Sequence, residues 1–167
     1  MTPRERPLLL PPSPSGLGDC IRRPFYGDFG STLLRAGENG DVNDLIAIGN
    51  RAINACVEDD GQAEPLVLDR GWMTVASLIA PQDLPKFFAT WRRWIPTALC
   101  WANLGTTLER LKERVEPEQS ESAHRHYIAT YWALAEHSKS PVVRTDLYSQ
   151  EECIEYLIRW ICEVERH

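Results

Sequence analysis

The sequence predicts an all-α fold: a single helical domain of five to six helices, with a long kinked central helix and room for one minor two-stranded β pairing. Three observations predict this class. Apolar residues recur every three or four positions along most of the chain, which is the spacing of one helical face. Helix start and stop signals bracket these segments, and only two short stretches have the apolar run of a strand. The 167 residues, 43% apolar and 25% charged, are typical of an ordinary globular protein.

The first 40 residues differ in composition from the rest of the chain. Residues 1–24 hold half of the twelve prolines, and a stretch so poor in backbone donors and apolar area is predicted to be a disordered tail. Residues 25–40 mix aromatic side chains with glycines and polar residues, which indicates an irregular segment that docks onto the body and has room for a short helix capped by Ser31. Residues 41–167 are predicted to form the helical domain itself.

The first helix and the two strand candidates come next. Asp41 is a favoured N-cap, and the apolar residues after it repeat on one helical face for about 17 residues. Residues 66–68 and 141–143 are the two extended candidates, and we predict that they pair with each other. Between them, Asp69 is expected to cap a short helix that Pro81 ends.

The longest helical pattern spans residues 84–115. Its apolar positions alternate at spacings of four and three and include Phe87, Trp91, Trp94, Ala98, Trp101, Gly105, Leu108 and Val115. An unbroken helix of this length would extend about 48 Å, beyond the roughly 36 Å diameter of a body of this size. Pro96 disfavours helix at Ile95, so we predict two helices, or one sharply kinked helix, with the apolar stripe continued across the break.

Two more helices complete the predicted domain. One begins at Pro117 and ends between Ser138 and Pro141. The last begins at Ser149, which forms a capping-box pattern with Glu152. Both place apolar residues on one face, as helices that pack on a shared core require.

Charge and cysteine content indicate which classes of partner the protein binds and in which cellular compartment it works. The net charge is −6, so the body repels phosphate backbones and nucleic-acid binding is not expected. The five cysteines are scattered along the chain, which indicates a reduced, cytoplasmic setting rather than a disulfide framework. No apolar run reaches the length of an export signal or a membrane span, so neither is expected. Arginine far outnumbers lysine, a bias typical of a GC-rich bacterial genome.

No residue pattern predicts a catalytic, cofactor or metal site. His124 and His126 lie about 200° apart on a helix, and His137 is about 16 Å from His126, too far to share one zinc ion. The cysteines that can be placed lie on or beside apolar helical faces, where a thiol is unreactive. The chain also lacks a phosphate-binding glycine loop and a dinucleotide fingerprint. We therefore predict no cofactor, no metal and no enzymatic reaction.

The sequence Trp91-Arg92-Arg93-Trp94 is the strongest candidate for a functional surface. Tryptophan, tyrosine and arginine are the residues enriched at interface hot spots. Because the long stripe overhangs a small body, we predict that it completes its burial against another protein chain. The predicted partner-binding residues are Trp91, Arg92, Trp94, Trp101, Leu108, Tyr127 and Tyr131. The alternative left open is that the tryptophans form the domain's own core.

The predicted function is a non-enzymatic protein–protein interaction module. It would be a small homodimeric cytoplasmic regulator that sequesters or inhibits a partner protein, of the anti-activator, immunity or chaperone type. The alternative is a helical small-ligand-binding domain or enzyme whose pocket uses Trp91, Trp101, Tyr127 and Tyr131, with ionisable groups from Glu136 or His137. A DNA-binding regulator ranks last, because it rests only on the arginine pairs Arg92–Arg93 and Arg22–Arg23.

Overall fold

The structure, a computed structural model, describes residues 21–24, 30–58, 66–112 and 120–165. This described part of the chain is mostly helical, with seven α-helices and two parallel two-stranded sheets. The chain divides into two compact units, the first ending at Ile95 and the second beginning at Pro96, and each is described by itself. Most of the predicted tail lies outside the described residues. The division into tail, docking segment and helical body stays a prediction.

The first unit combines a β pair with four helices. Its elements are β1 (Ile21–Pro24), α1 (Gly30–Asn39), α2 (Val42–Glu58), β2 (Leu66–Asp69), α3 (Trp72–Ala76) and α4 (Leu84–Thr90), the last preceded by a 3₁₀ turn over Pro81–Asp83. β1 and β2 run parallel, with Ile21 opposite Leu66 and Pro24 opposite Asp69. α2 packs against α1, α3 and α4, so it is the central element of the unit.

α2 begins where the sequence predicts it. The Asp41 carboxylate oxygen Oδ1 accepts hydrogen bonds from the backbone N–H groups of Asn43 and Asp44, at 2.9 and 3.1 Å. These bonds satisfy two of the donors that a helix start leaves free. Just before it, Gly40 ends α1 with a φ of 68°, a left-handed conformation that glycine adopts without strain. The apolar face of α2 is buried as predicted, through Leu45, Ile48, Ala52 and Ile53.

The second unit alternates short strands with helices. Its elements are β3 (Leu99–Trp101), α5 (Leu104–Leu111), α6 (Glu121–Ser138), β4 (Val142–Arg144) and α7 (Gln150–Val164). β3 and β4 run parallel, with Leu99 opposite Val142. The capping box predicted at the start of α7 is confirmed. Ser149 Oγ accepts a hydrogen bond from the Glu152 N–H at 3.2 Å, and the Glu152 carboxylate accepts one from the Ser149 N–H at 2.8 Å.

The structure does not confirm the long kinked helix predicted over residues 84–115; the other possibility, two helices, is met by α4 and α5. α4 ends at Thr90, residues 91–98 have no regular secondary structure, and β3 follows before α5 begins. Trp91 leaves the helix in an extended conformation, with φ of −61° and ψ of 131°. Pro96 disfavours helix at the residue before it, and β3 pairs its backbone groups with those of β4. The alternating apolar spacing therefore runs through α4, a segment without regular secondary structure, β3 and α5, rather than along one helical face.

Three smaller expectations also differ from the structure. The described helices number seven rather than five to six. Both predicted strands are present, but β2 pairs with β1 and β4 with β3, so the predicted pairing of residues 66–68 with 141–143 is wrong. A local pattern reveals a strand but not its partner, because tertiary packing selects the pairing. Within residues 25–40, predicted to be irregular with room for a short helix capped by Ser31, the structure has the ten-residue helix α1, which begins at Gly30.

Candidate protein-interaction site

Five aromatic side chains of the first unit pack together around α4. We call them the aromatic cluster: Trp72, Phe87, Phe88, Trp91 and Trp94. Phe87 is fully buried, and Trp72 and Trp91 are each 2% exposed. The ring centroids of Phe87 and Trp91 lie 5.1 Å apart, within the range in which aromatic pairs attract. Three of the five rings are therefore buried in the core of the unit, and Trp91 is the one tryptophan of the predicted stripe among them.

Trp94 is the most exposed member of the aromatic cluster. It is 49% exposed. Its ring stacks on Phe88, with centroids 6.0 Å apart and planes 6° apart, and meets Trp72 edge-on at 5.1 Å. The buried part of the indole is thus held by two neighbouring rings. A side chain already held in this way loses little conformational entropy when its open surface binds a partner.

Two exposed arginines precede Trp94. Both Arg92 and Arg93 lie on the protein surface. The Trp91 indole N–H donates a hydrogen bond to the Arg93 carbonyl oxygen at 2.8 Å. This hydrogen bond holds the Arg93 backbone, which immediately precedes Trp94, against the buried Trp91 ring. We call Arg92, Arg93 and Trp94 the Trp94 surface.

The sequence segment that contains the Trp94 surface is basic, whereas the whole protein is acidic. From residue 84 to residue 108 the sequence has no aspartate or glutamate, and its charged residues are Lys86, Arg92 and Arg93. The net charge of the chain is −6. Lys86 and both arginines are exposed. The segment therefore favours ligands that carry carboxylates.

The other predicted partner-binding residues lie in the second unit. Trp101, in β3, donates its indole N–H to the Ile128 carbonyl oxygen at 3.3 Å and meets Trp132 edge-on at 5.0 Å. It is half-buried, as are Leu108, Tyr127 and Tyr131. The partner-binding role of these four residues stays a prediction. Trp91, Arg92 and Trp94 are close together in the first unit, but Trp91 belongs to its core.

Sequence reasoning missed a polar network at the end of the β3–β4 pair. The Asp146 side chain, fully shielded from solvent, accepts two hydrogen bonds from Arg144 at 2.8 Å and one from the Asn103 side chain at 2.8 Å. The Arg144 guanidinium lies 4.7 Å from the Trp101 ring centroid. Nearby, Arg110 donates to the Thr145 hydroxyl at 3.0 Å. These partners join β3, α5 and β4, so we interpret the network as structural.

The network predicts an acid-dependent loss of stability. The Arg144 hydrogen bonds hold the pKa of Asp146 well below its usual range, with further hydrogen bonds from Asn103. A carboxyl whose pKa is lower in the folded state stabilises the protein above its unfolded pKa of about 3.9, and this contribution is lost as the pH falls further. We expect Asp146→Asn to destabilise the protein at neutral pH and to narrow its difference from the wild type in acid. Urea unfolding at a series of pH values measures this.

A matched control is available for the pH experiment. Glu136 is an exposed carboxylate on α6, and Glu136→Gln changes the same charge outside the network. Its stability should follow that of the wild type across the whole pH range. A constant gap between Asp146→Asn and the wild type from neutral to acidic pH would contradict the role given to the carboxylate charge.

An open groove lies along α7 in the second unit. Its lining residues are Pro96, Trp160, Glu163 and Val164, and its volume is about 530 Å³. We call it the α7 groove. Three of the four residues present apolar surface, and Glu163 adds one exposed carboxylate. The groove therefore suits an aromatic or aliphatic side chain accompanied by a positive charge.

In the described part of the chain, no group of three histidine, cysteine or carboxylate side chains is placed to hold a metal ion. None of the helices in the described ranges is both long and apolar enough to cross a bilayer. Comparison with known protein families, curated proteins and solved structures finds no match to this chain.

Proposed function

We propose that this protein is a non-enzymatic protein–protein interaction module that binds an acidic segment of a partner protein through the Trp94 surface. The observation that carries the proposal is a half-exposed indole, held on an aromatic core, beside two exposed arginines. As a small cytoplasmic regulator, it would sequester or inhibit that partner. The scattered cysteines support a cytoplasmic setting. The absence of a reactive sequence pattern supports this role over an enzyme.

The Trp94 surface has the two components that protein interfaces use for affinity and for selection. Trp94 supplies apolar area that a partner can bury, and tryptophan is among the residues that contribute most binding energy per side chain. Arg92 and Arg93 supply charge that attracts carboxylates and raises the association rate. A partner with an acidic and partly apolar segment would satisfy both components at once.

Binding should depend on Trp94 and its arginines and not on exposed apolar or basic residues elsewhere. We expect Trp94→Ala, and separately Arg92→Glu/Arg93→Glu, to reduce capture of a specific partner from lysate of the source organism at least about tenfold. Quantitative mass spectrometry of proteins retained by the immobilised full chain measures the loss. The captured protein is then purified and titrated against each variant.

Matched controls use exposed residues of the first unit. Leu34→Ala removes apolar area from a side chain that is 55% exposed. Arg35→Glu/Arg51→Glu makes the same charge change as the arginine variant, at two other exposed positions. Both controls should retain the partner. Equal loss in the controls, or undiminished capture by Trp94→Ala, would contradict the proposal.

A further inference from the structure

We propose that the Trp94 surface of one copy of this chain binds the α7 groove of a second copy when no other partner is bound. The inference rests on the proposed function, because it assigns an occupant to the same surface. In the resulting homodimer, Trp94 of each copy enters the α7 groove of the other. A bound acidic partner and the second copy then compete for one surface.

The two surfaces match in shape and polarity. Trp94 offers a half-exposed indole, and the α7 groove offers about 530 Å³ lined mainly by Pro96, Trp160 and Val164. This volume is within the range of roughly 300–1,000 Å³ in which protein pockets hold small organic ligands. The groove is open to solvent, so an indole ring can lie against its apolar lining, with Trp160 as an aromatic neighbour.

The two surfaces also match in charge. Glu163 lines the groove, and Glu155 lies two turns before it on the same helix, exposed like Glu163. The exposed Arg159 lies between them, and the three residues together carry a net negative charge. On the other side, Arg92 and Arg93 are exposed beside Trp94. Opposite charges on the two surfaces favour their association, and like charges disfavour each surface pairing with itself. The charges therefore select the contact of the Trp94 surface with the groove.

A two-fold dimer accommodates this contact because its two parts are neighbours in the sequence. Trp94 lies two residues before Pro96, which lines the groove. In a dimer with two-fold symmetry, each contact occurs twice, once in each direction. Each copy therefore contributes one Trp94 surface and one α7 groove to the dimer.

Charge reversal on each side tests the dimer. We compare Arg92→Glu/Arg93→Glu with Glu155→Arg/Glu163→Arg, by sedimentation velocity at tens of micromolar. The wild type should sediment as a dimer of the 19.0 kDa chain. Each variant alone should be monomeric, with its dimer dissociation constant raised at least about 30-fold. Circular dichroism confirms that each variant is folded. Trp94→Ala should also be monomeric.

Mixing the two variants distinguishes direct contact from a general charge effect. In the mixture, the reversed arginine positions of one copy face the reversed glutamate positions of the other, while the remaining pair of surfaces is native. An equimolar mixture should therefore regain the dimer. The control Arg35→Glu/Arg51→Glu should stay dimeric, since it changes the same charge elsewhere.

Three results would overturn the proposal: a monomeric wild type, a dimer that survives both charge reversals, or a mixture that stays monomeric. These results are distinct from a failure of the proposed function. Capture of a partner that depends on Trp94 by a monomeric protein would leave the function standing and remove the dimer. A confirmed dimer with no captured partner would limit the Trp94 surface to self-association.

Discussion

Replacing Trp91 with alanine is expected to lower the free energy of unfolding by about 3–5 kcal/mol, the usual cost of deleting a large aromatic side chain from a core. Trp91 is 2% exposed, packs on Phe87 and hydrogen-bonds the Arg93 carbonyl oxygen. A loss of this size is a large part of the roughly 5–15 kcal/mol that stabilises an ordinary domain. Urea unfolding followed by far-ultraviolet circular dichroism measures it.

The comparison with Trp94 makes this prediction diagnostic. Trp94→Ala removes a side chain that is 49% exposed, so its stability loss should be clearly smaller, while its loss of partner binding should be larger. Trp91→Phe serves as the conservative variant, because it keeps an aromatic ring on Phe87 while it removes the indole hydrogen bond and part of the ring volume. If Trp91→Ala kept wild-type stability and lost binding, Trp91 would belong to the interface and not to the core.

Helix starts can be predicted from the sequence, whereas the conformation of the segment from Trp91 to Trp101 cannot. Caps are local, so Asp41 and Ser149 identify the starts of α2 and α7 from a few residues. The segment from Trp91 to Trp101 has equally regular apolar spacing, yet it is not helical, and its last three residues form β3. The strand β3 depends on pairing with β4, more than 40 residues away along the chain. A pattern of spacing contains no information on that partner.

The sequence predicts the candidate site only in part, because it does not contain the tertiary packing of the aromatic rings. The aromatic and basic composition of residues 91–94 identifies a surface, and Arg92 and Trp94 are exposed in the structure. The assignment of Trp91 depends on which way each ring points, which differs between a helix and an extended chain. Trp72 is absent from the predicted set because it lies on a separate short helix, although its ring meets Trp94. Only tertiary packing brings these two rings together.

The absence of a side chain at Gly49 of α2 leaves room for the Trp91 ring of the aromatic cluster, and Gly49→Ala is expected to destabilise the protein. A Cβ at this position would lie 2.8 Å from Val75 Cγ2 and 2.9 Å from two carbon atoms of the Trp91 ring. Both neighbours are buried, with exposures of 0% and 2%. Neither can swing away as a flexible surface side chain would, so the helix or the ring must shift.

Two opposing effects set the size of the Gly49 result. Overpacking a core costs about 1–3 kcal/mol, whereas alanine is favoured over glycine inside a helix by roughly 0.5–1 kcal/mol. We expect overpacking to prevail, with a net loss of about 1–2 kcal/mol in urea unfolding. Gly71→Ala is the control for overpacking alone, since no atom lies within 4 Å of a Cβ there; Gly71 is the N-cap of α3, where alanine brings no helix-interior gain. A stabilised Gly49→Ala would mean that α2 and Trp91 are farther apart than the structure places them, and the position of Trp94 on Phe88 and Trp72 would then need revision with it.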